Sequence, residues 1–189
     1  MEALLKLDGQ ILLWIQENLR FPIFTEFFTR FTLLGDHGAL WIALGILLFV
    51  PKKTRKAGIL VFASLLGSLI VNNLFLKNIV ARTRPYEEVE GLKLLIAPQW
   101  DYSFPSGHTG SSFAAAVAML LTLPGKYSVP ALVIAALIAW SRLYVGVHYP
   151  TDVLAGMITG ILIPIVIYAV MQKIGKRRQQ IQKREEKSL

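Results

Sequence analysis

The strongest constraint on the fold of this chain is the grouping of its apolar residues into long, uninterrupted blocks. The clearest blocks run from Ala57 to Leu76 and from Val153 to Met171, and neither contains a charged residue. A helix needs about 20 predominantly apolar residues to cross the hydrocarbon core of a bilayer. Hydrophobic residues make up 54% of the chain and charged residues 17%, which is unusual for a soluble domain. The sequence therefore predicts an all-α, polytopic membrane protein built as a single domain.

We expect six transmembrane helices, preceded by an amphipathic helix over residues 1–20 that lies in the membrane interface. The first span is the weakest, because Glu26 and Arg30 interrupt it at i,i+4 spacing, where they can pair. The six expected spans are residues 21–34, 40–50, 57–76, 109–123, 129–145 and 153–171. Together, residues 21–172 would form a six-helix bundle within a domain that covers residues 1–189.

The positive charges predict how the bundle is oriented. The chain carries a net charge of +8, and its basic residues concentrate at 52–56, at Lys126 and in the tail 173–189. These three segments share one side in a six-span arrangement, and basic loops remain in the cytoplasm. Both termini are then cytoplasmic, and the tail contacts anionic lipid rather than nucleic acid. The chain has no cysteine, so a disulfide, a thiolate metal site and a thiol nucleophile are excluded.

Three clusters of polar residues lie at the opposite, extracytoplasmic ends of the predicted spans. A bundle brings such clusters together even though they are far apart in the sequence. They are Lys77 with Arg84-Pro85, the tetrapeptide Pro105-Ser106-Gly107-His108, and Ser141-Arg142 with His148 and Asp152.

The cations and the helix start in these clusters suit a phosphate group. Lys77, Arg84 and Arg142 supply three positive charges, and guanidinium groups can bind phosphate through two hydrogen bonds. The first N–H groups of a helix attract anions. Gly107 would let the backbone approach a phosphate closely, and the Ser106 hydroxyl would cap the helix or donate to the ligand.

The two histidines suit a nucleophile and an acid. Asp152 follows His148 by four residues, so its carboxylate can hold one ring nitrogen and leave the other free to attack. His108, at the start of a helix, can protonate the leaving oxygen. Other polar residues have ordinary explanations at this stage. Arg82 fits an interfacial cation, Asp101 a solvated loop, and Asp36 a cap or turn before the second span.

The order and spacing of these residues resemble the three-part signature of the type 2 phosphatidic acid phosphatase superfamily. The matching elements are Lys77 to Arg84-Pro85, Pro105 to His108, and Ser141-Arg142 to His148 and Asp152. No signature position departs from the family pattern. The motifs span residues 77–152, and the six-helix arrangement extends the likeness over nearly the whole chain.

The resemblance implies a metal-independent lipid phosphatase that needs no cofactor and acts through a phosphohistidine. It assigns His148 as the nucleophile, Asp152 as its orienting partner and His108 as the general acid. It assigns phosphate binding to five residues: Lys77, Arg84, Ser106, Gly107 and Arg142. The expected substrate is a lipid phosphate or pyrophosphate in the outer leaflet, with undecaprenyl pyrophosphate ahead of phosphatidylglycerol phosphate and phosphatidic acid.

Two other functions stay open at this stage. A vanadate-dependent haloperoxidase shares the same phosphate pocket, but such enzymes resemble soluble helical proteins. A non-enzymatic lipid-phosphate binder or transporter would need the cations but not an oriented nucleophile such as His148. The sequence does not predict the oligomeric state.

Overall fold

The computed structural model of this chain describes residues 2–187, and every regular element in that range is a helix. The α-helices are α1 (Glu2–Leu19), α2 (Pro22–Phe31), α3 (Ala39–Phe49), α4 (Arg55–Ser68), α5 (Lys77–Val80), α6 (Pro85–Glu88), α7 (Gly107–Leu120), α8 (Gly125–Tyr144) and α9 (Pro150–Lys187). A 3₁₀ segment, Thr32–Gly38, joins α2 to α3, and a π-helical segment, Leu69–Leu76, joins α4 to α5.

The prediction of six membrane-spanning helices is not confirmed. Within the described residues, four stretches are long and apolar enough to cross a membrane: Pro22–Phe49, Arg55–Glu88, Gly125–Tyr144 and Pro150–Arg184. The first of these covers all but the outermost residue of each of the first two predicted spans, 21–34 and 40–50. Helix α2 has 10 residues and rises about 15 Å, roughly half of the hydrocarbon core. The 3₁₀ segment then turns the chain directly into α3, so no loop separates two spans.

Helix α7 lies at the centre of the bundle, packed against α9, α8 and α4. Its residues from Ala114 to Ala118 are buried, and their small side chains let neighbouring helices approach. The closest approach is to α9, where a Cβ added to Gly156 would lie 2.6 Å from the carbonyl oxygen of Ser106. A Cβ on Gly160 would lie 2.6 Å from that of Gly110. This packing fixes the start of α7 against the start of α9.

The third predicted span lies in a helical run from Arg55 to Val80, which is longer than expected. The run consists of α4, the π-helical segment and α5, without a gap. Segments of this kind are rare and occur often at functional sites, because they shift the direction of the side chains that follow. Lys77 is the first residue after it, and Ala81 ends the run in a left-handed conformation with φ 46°. The pattern of apolar residues in the sequence does not predict this π-helical segment.

Helix α1 packs against α8 and α9 at the end of the bundle that carries the turn between them, residues 145–149. Leu12 is fully buried in a small apolar cluster with Leu92 and Tyr149. We call this end of the bundle the site end. The helix predicted for residues 1–20 is therefore present over Glu2–Leu19, whereas its position in a membrane interface stays a prediction.

Candidate active site

The three polar clusters meet in one cavity of about 830 Å³ at the site end of the bundle. Six of the eight residues predicted for the site line it: Lys77, Arg84, Gly107, His108, Arg142 and His148. The other two, Ser106 and Asp152, are fully buried behind the wall of the cavity. The convergence expected from the sequence is thus present in the structure.

The His148 imidazole is held from behind by the Asp152 carboxylate. Nδ1 of His148 lies 3.5 Å from Oδ2 of Asp152, a long contact of the kind that often tightens when substrate binds. The same Oδ2 accepts hydrogen bonds from the Ser103 hydroxyl at 2.5 Å and from the Tyr149 backbone N–H at 2.9 Å. Because Nδ1 faces the carboxylate, Nε2 is the ring nitrogen left for chemistry.

Burial lowers the pKa of His148 to about 3, although the hydrogen bond to Asp152 acts in the opposite direction. The positive charges of Arg84 and Arg142 add to the decrease. The imidazole is therefore neutral at physiological pH, which leaves a lone pair on one ring nitrogen.

Lys77 and Arg84 are both buried, and both bind Asp101. The Asp101 carboxylate accepts a hydrogen bond from Nζ of Lys77 and another, at 2.5 Å, from Nη2 of Arg84. Arg84 also donates from Nη1 to the carbonyl oxygen of Val147 at 2.8 Å, next to His148. Two of the predicted phosphate-binding cations thus pair with one loop carboxylate, Asp101, which was expected to be solvated.

Arg142 is the third cation and is 1% exposed. Its Nη1 donates to the hydroxyl of Thr32 at 2.7 Å. Its Nε is buried and has no hydrogen-bond partner among the residues that the structure describes. A buried donor of this kind is costly to leave unpaired.

The start of α7 forms one wall of the cavity. Ser106 Oγ accepts from the backbone N–H of Thr109 at 3.4 Å and from the Thr109 hydroxyl at 2.9 Å, so Ser106 caps the helix. Its own backbone N–H donates to the carbonyl oxygen of Asp152 at 3.0 Å. A Cβ on Gly107 would lie 2.9 Å from the Asn73 amide oxygen, which explains the glycine. Phosphate binding by Ser106 stays a prediction.

His108 faces the cavity from the first turn of α7 and contacts the 3₁₀ segment. Its Nε2 lies 2.8 Å from Oδ1 of Asp36, whose side chain is 44% exposed. Asp36 was expected only to cap or turn the chain, so this contact with His108 was not predicted from the sequence.

Arg82 joins the active-site carboxylate to the N-terminal helix. Its Nη1 donates to Oδ1 of Asp152 and to the Thr151 hydroxyl, both at 2.7 Å, and its Nη2 donates to Oδ2 of Asp8 at 2.8 Å. Its guanidinium also stacks over the Tyr149 ring, with 3.7 Å between the guanidinium carbon and the ring centroid. The expected role of Arg82 as an interfacial cation is wrong, because its side chain points into the protein.

Asp36 and Asp101, two acidic residues that were not predicted for the site, share one signal in the sequence. Asp36 is the only acidic residue between Glu26 and Glu87, and Asp101 is the only one between Glu90 and Asp152. An isolated ionisable residue in an apolar chain is by default a candidate for a functional site.

Among the described residues, no group of three or more His, Asp or Glu side chains is arranged to hold a metal ion.

Comparison with known proteins gives a consistent result. Residues 56–176 match the PAP2 superfamily. The undecaprenyl-diphosphatase of Sulfolobus acidocaldarius is 38% identical over 121 residues, which cover 64% of this chain and 58% of that protein. The chain thus spans little more than half the length of this relative.

Two solved structures resemble this one over most of its length. One is the transmembrane PAP2-type phosphatidylglycerolphosphate phosphatase from Bacillus subtilis, with a TM-score of 0.74 and 28% identity, covering 92% of this chain and 89% of that one. The other is Aquifex aeolicus LpxE, with a TM-score of 0.72 and 30% identity, covering 83% of this chain and 92% of that one.

Proposed function

Because this chain belongs to the PAP2 superfamily, we propose that it is an integral-membrane lipid phosphatase that acts through a phosphohistidine at His148. The observation that carries this proposal is the position of His148: a buried imidazole, backed by Asp152, in a cavity that also holds His108 and three cations. A binder or transporter would need the cations, but it would have no use for a neutral imidazole held by a carboxylate.

The proposed reaction has two steps. Nε2 of His148 attacks the phosphorus atom while the bond to the leaving oxygen breaks, and His108 gives its proton to that oxygen. Water then attacks the phosphorus atom of the phosphohistidine while the bond to Nε2 of His148 breaks. His108 takes up a proton from the water, and inorganic phosphate leaves. Lys77, Arg84 and Arg142 stabilise the negative charge on the transferring phosphoryl group in both steps. Asp152 keeps the His148 ring in the orientation that attack requires.

The substrate that we propose first is undecaprenyl pyrophosphate, which would be converted to undecaprenyl phosphate. The name of the Sulfolobus acidocaldarius relative, an undecaprenyl-diphosphatase, supports this choice. The Bacillus subtilis structure is that of a phosphatidylglycerolphosphate phosphatase, so phosphatidylglycerol phosphate is the main alternative and phosphatidic acid the next.

The contacts of residues 20–35 support five membrane crossings in place of the six expected. Arg20 Nε donates to the carbonyl oxygen of Tyr144 at 3.0 Å, and the Thr25 hydroxyl lies 3.1 Å from the Tyr144 hydroxyl. The Thr32 hydroxyl accepts a hydrogen bond from Arg142, which precedes Tyr144 by about half a helical turn at the same end of α8. The chain therefore stays at the site end from α1 to the 3₁₀ segment. It would cross first in the segment containing α3, and then in the helices containing α4, α7, α8 and α9.

This count changes the expected side of the N-terminus. The basic loops at 52–56 and Lys126 and the basic tail still share the cytoplasmic side, opposite the cavity. With five crossings, the C-terminus is cytoplasmic, while α1 lies with the cavity on the extracytoplasmic side. Under this proposal, the prediction of a cytoplasmic location is kept for the C-terminus and not for the N-terminus.

Phosphate release from purified protein in detergent tests the activity. We expect release from undecaprenyl pyrophosphate, phosphatidylglycerol phosphate and phosphatidic acid assayed side by side, with the highest kcat/KM for the first and no loss in EDTA. His148→Ala should abolish release from all three. Persistent release by this variant would exclude the proposed nucleophile, and a different ranking of the lipids would exclude the proposed substrate.

The absence of cysteine makes the topology directly testable. Gln10 on α1 and Lys126 on the opposite loop are both exposed, so each can be replaced by a single cysteine. A membrane-impermeant maleimide should label Gln10→Cys in intact cells and Lys126→Cys only after the membrane is opened. Protection of both positions in intact cells would support the original assignment of both termini to the cytoplasm.

A further inference from the structure

The contact between Asp36 and His108 is built by several parts of the fold. Nε2 of His108 and Oδ1 of Asp36 are 2.8 Å apart, although the two residues are 72 positions apart in the sequence. Asp36 has an extended backbone with ψ 127°, and it is followed by His37 with φ 52° and Gly38 with φ 68°. Two successive left-handed residues are uncommon, and they turn the chain from the 3₁₀ segment into α3 at this point.

The neighbours of this turn fix its distance from α7. A Cβ added to Gly35 would lie 2.5 Å from Cδ2 of His108, so only glycine lets the turn come this close to the imidazole. One turn further along each helix, the buried indole N–H of Trp41 donates to the Ser112 hydroxyl at 2.9 Å. The turn is therefore held at hydrogen-bonding distance from His108 by contacts on both sides.

The chemistry of this contact matches the role proposed for His108. A carboxylate at Nε2 accepts a hydrogen bond only from a ring that carries its proton there, so it selects that protonation state. Nδ1 is then the nitrogen that can face the leaving oxygen, and it donates there when it carries the second proton of the imidazolium ring.

We propose that Asp36 is a positioning residue for the general acid His108, as Asp152 is for the nucleophile His148. Each imidazole would then be oriented by one carboxylate: Asp152 lies on the same turn of chain as its histidine, and Asp36 on a different segment. This inference rests on the proposed function, because it assumes that His108 protonates the leaving oxygen.

The test uses the dependence of the rate on the leaving group. A lipid alkoxide is a poor leaving group that needs a proton, whereas p-nitrophenolate leaves without one. We therefore expect Asp36→Ala to slow the first turnover of phosphatidic acid by about 10- to 100-fold, within the range of general acid catalysis. The first release of p-nitrophenol from p-nitrophenyl phosphate should change less than about threefold. His108→Ala should show the same selectivity, and the double variant should be no slower than His108→Ala.

Controls separate this role from a structural one and from a failure of the proposed mechanism. Glu26→Gln removes an exposed carboxylate that pairs with Arg30, and it should leave both rates unchanged. Asp36→Asn keeps the shape and tests whether a change in Asp36→Ala comes from altered folding. Equal losses on both substrates in both Asp36 variants, or additive losses in the double variant, would overturn the proposal for Asp36. Activity of His148→Ala on either substrate would instead overturn the proposed function.

Discussion

Asp101 binds Arg84 through two different oxygens: its backbone carbonyl accepts from Nε at 2.8 Å, and its Oδ1 accepts from Nη2 at 2.5 Å. Its other carboxylate oxygen accepts from Lys77. Burial opposes ionisation of Asp101, but its hydrogen bonds and charge interactions with Lys77 and Arg84 lower the pKa to about 2. The anionic Asp101 side chain therefore pairs with two of the three cations at any ordinary pH. A substrate phosphate has to compete with this carboxylate for Lys77 and Arg84.

We expect Asp101→Asn to bind phosphate-like anions more tightly, because the neutral amide competes less well for Lys77 and Arg84. The inhibition constant of orthovanadate should fall by about tenfold, equivalent to about 1.4 kcal/mol. Glu90→Gln is the matched control, since Glu90 is an exposed carboxylate on the same connection between α6 and α7. An unchanged or higher inhibition constant in Asp101→Asn would mean that Asp101 does not compete with the ligand.

The residues of the cavity could be predicted from the sequence only in part, because many of their contacts join residues that are far apart in the sequence. Lys77, Arg84, His108 and His148 could be assigned because their helix ends share one side of a bundle. Asp152 could be assigned to His148 because it follows four residues later, but the carboxylate partners of the other three could not, because a single Asp in a loop gives no indication of which group it reaches. Asp101 was expected to be solvated for this reason, and its contacts depend on how the loop folds back.

The number of candidate membrane spans differs from the predicted six for a local reason. Blocks of apolar residues predict the segments containing α4, α8 and α9 reliably, because each helix is in contact with protein or lipid over the whole thickness of the membrane. Residues 21–50 also read as apolar, and the turn residues at Gly35–Gly38 are equally compatible with a loop between two spans and with a turn inside one candidate span. Two short blocks therefore looked like two spans, whereas in the structure they form one candidate span, Pro22–Phe49.

Replacement of Arg82 by Gln should impair the reaction without touching the phosphate. Arg82 donates to Oδ1 of Asp152 and, through its other nitrogen, to Asp8. Glutamine cannot bridge both carboxylates, so Asp152 loses a fixed partner and the His148 ring becomes less well oriented. We expect kcat to fall about tenfold while KM changes little. Arg30→Gln, on an exposed face of α2, is the control. A higher KM with an unchanged kcat would assign Arg82 to substrate binding.

The pH dependence of stability should reveal the buried His148. Its pKa is about 3 in the folded protein and 6.5 ordinarily, so between these values the unfolded chain binds more protons than the folded protein. The free energy of unfolding therefore rises with pH across this window and is constant with respect to this group above it. Thermal unfolding in detergent should show a shallower rise from pH 4 to pH 6 in His148→Gln. His37→Gln, which replaces an exposed imidazole, should keep the wild-type slope. Equal slopes in all three proteins would contradict a buried, neutral His148.

Replacement of Arg142 by Lys tests whether the cavity needs a guanidinium or only a positive charge. Arg142 is fixed by the Thr32 hydroxyl at 2.7 Å, while its buried Nε has no partner among the described residues. A lysine keeps the charge but offers a single ammonium group in place of a planar fork. We expect kcat/KM to fall by about 10²- to 10³-fold, the usual effect of removing one donor to the transition state. Thr32→Val removes the hydrogen bond to Arg142 but keeps the guanidinium, so it should lower kcat/KM much less. Near-normal kcat/KM in Arg142→Lys, with an unchanged unfolding temperature, would show that charge alone suffices and that Arg142 does not bind the phosphoryl group through two hydrogen bonds.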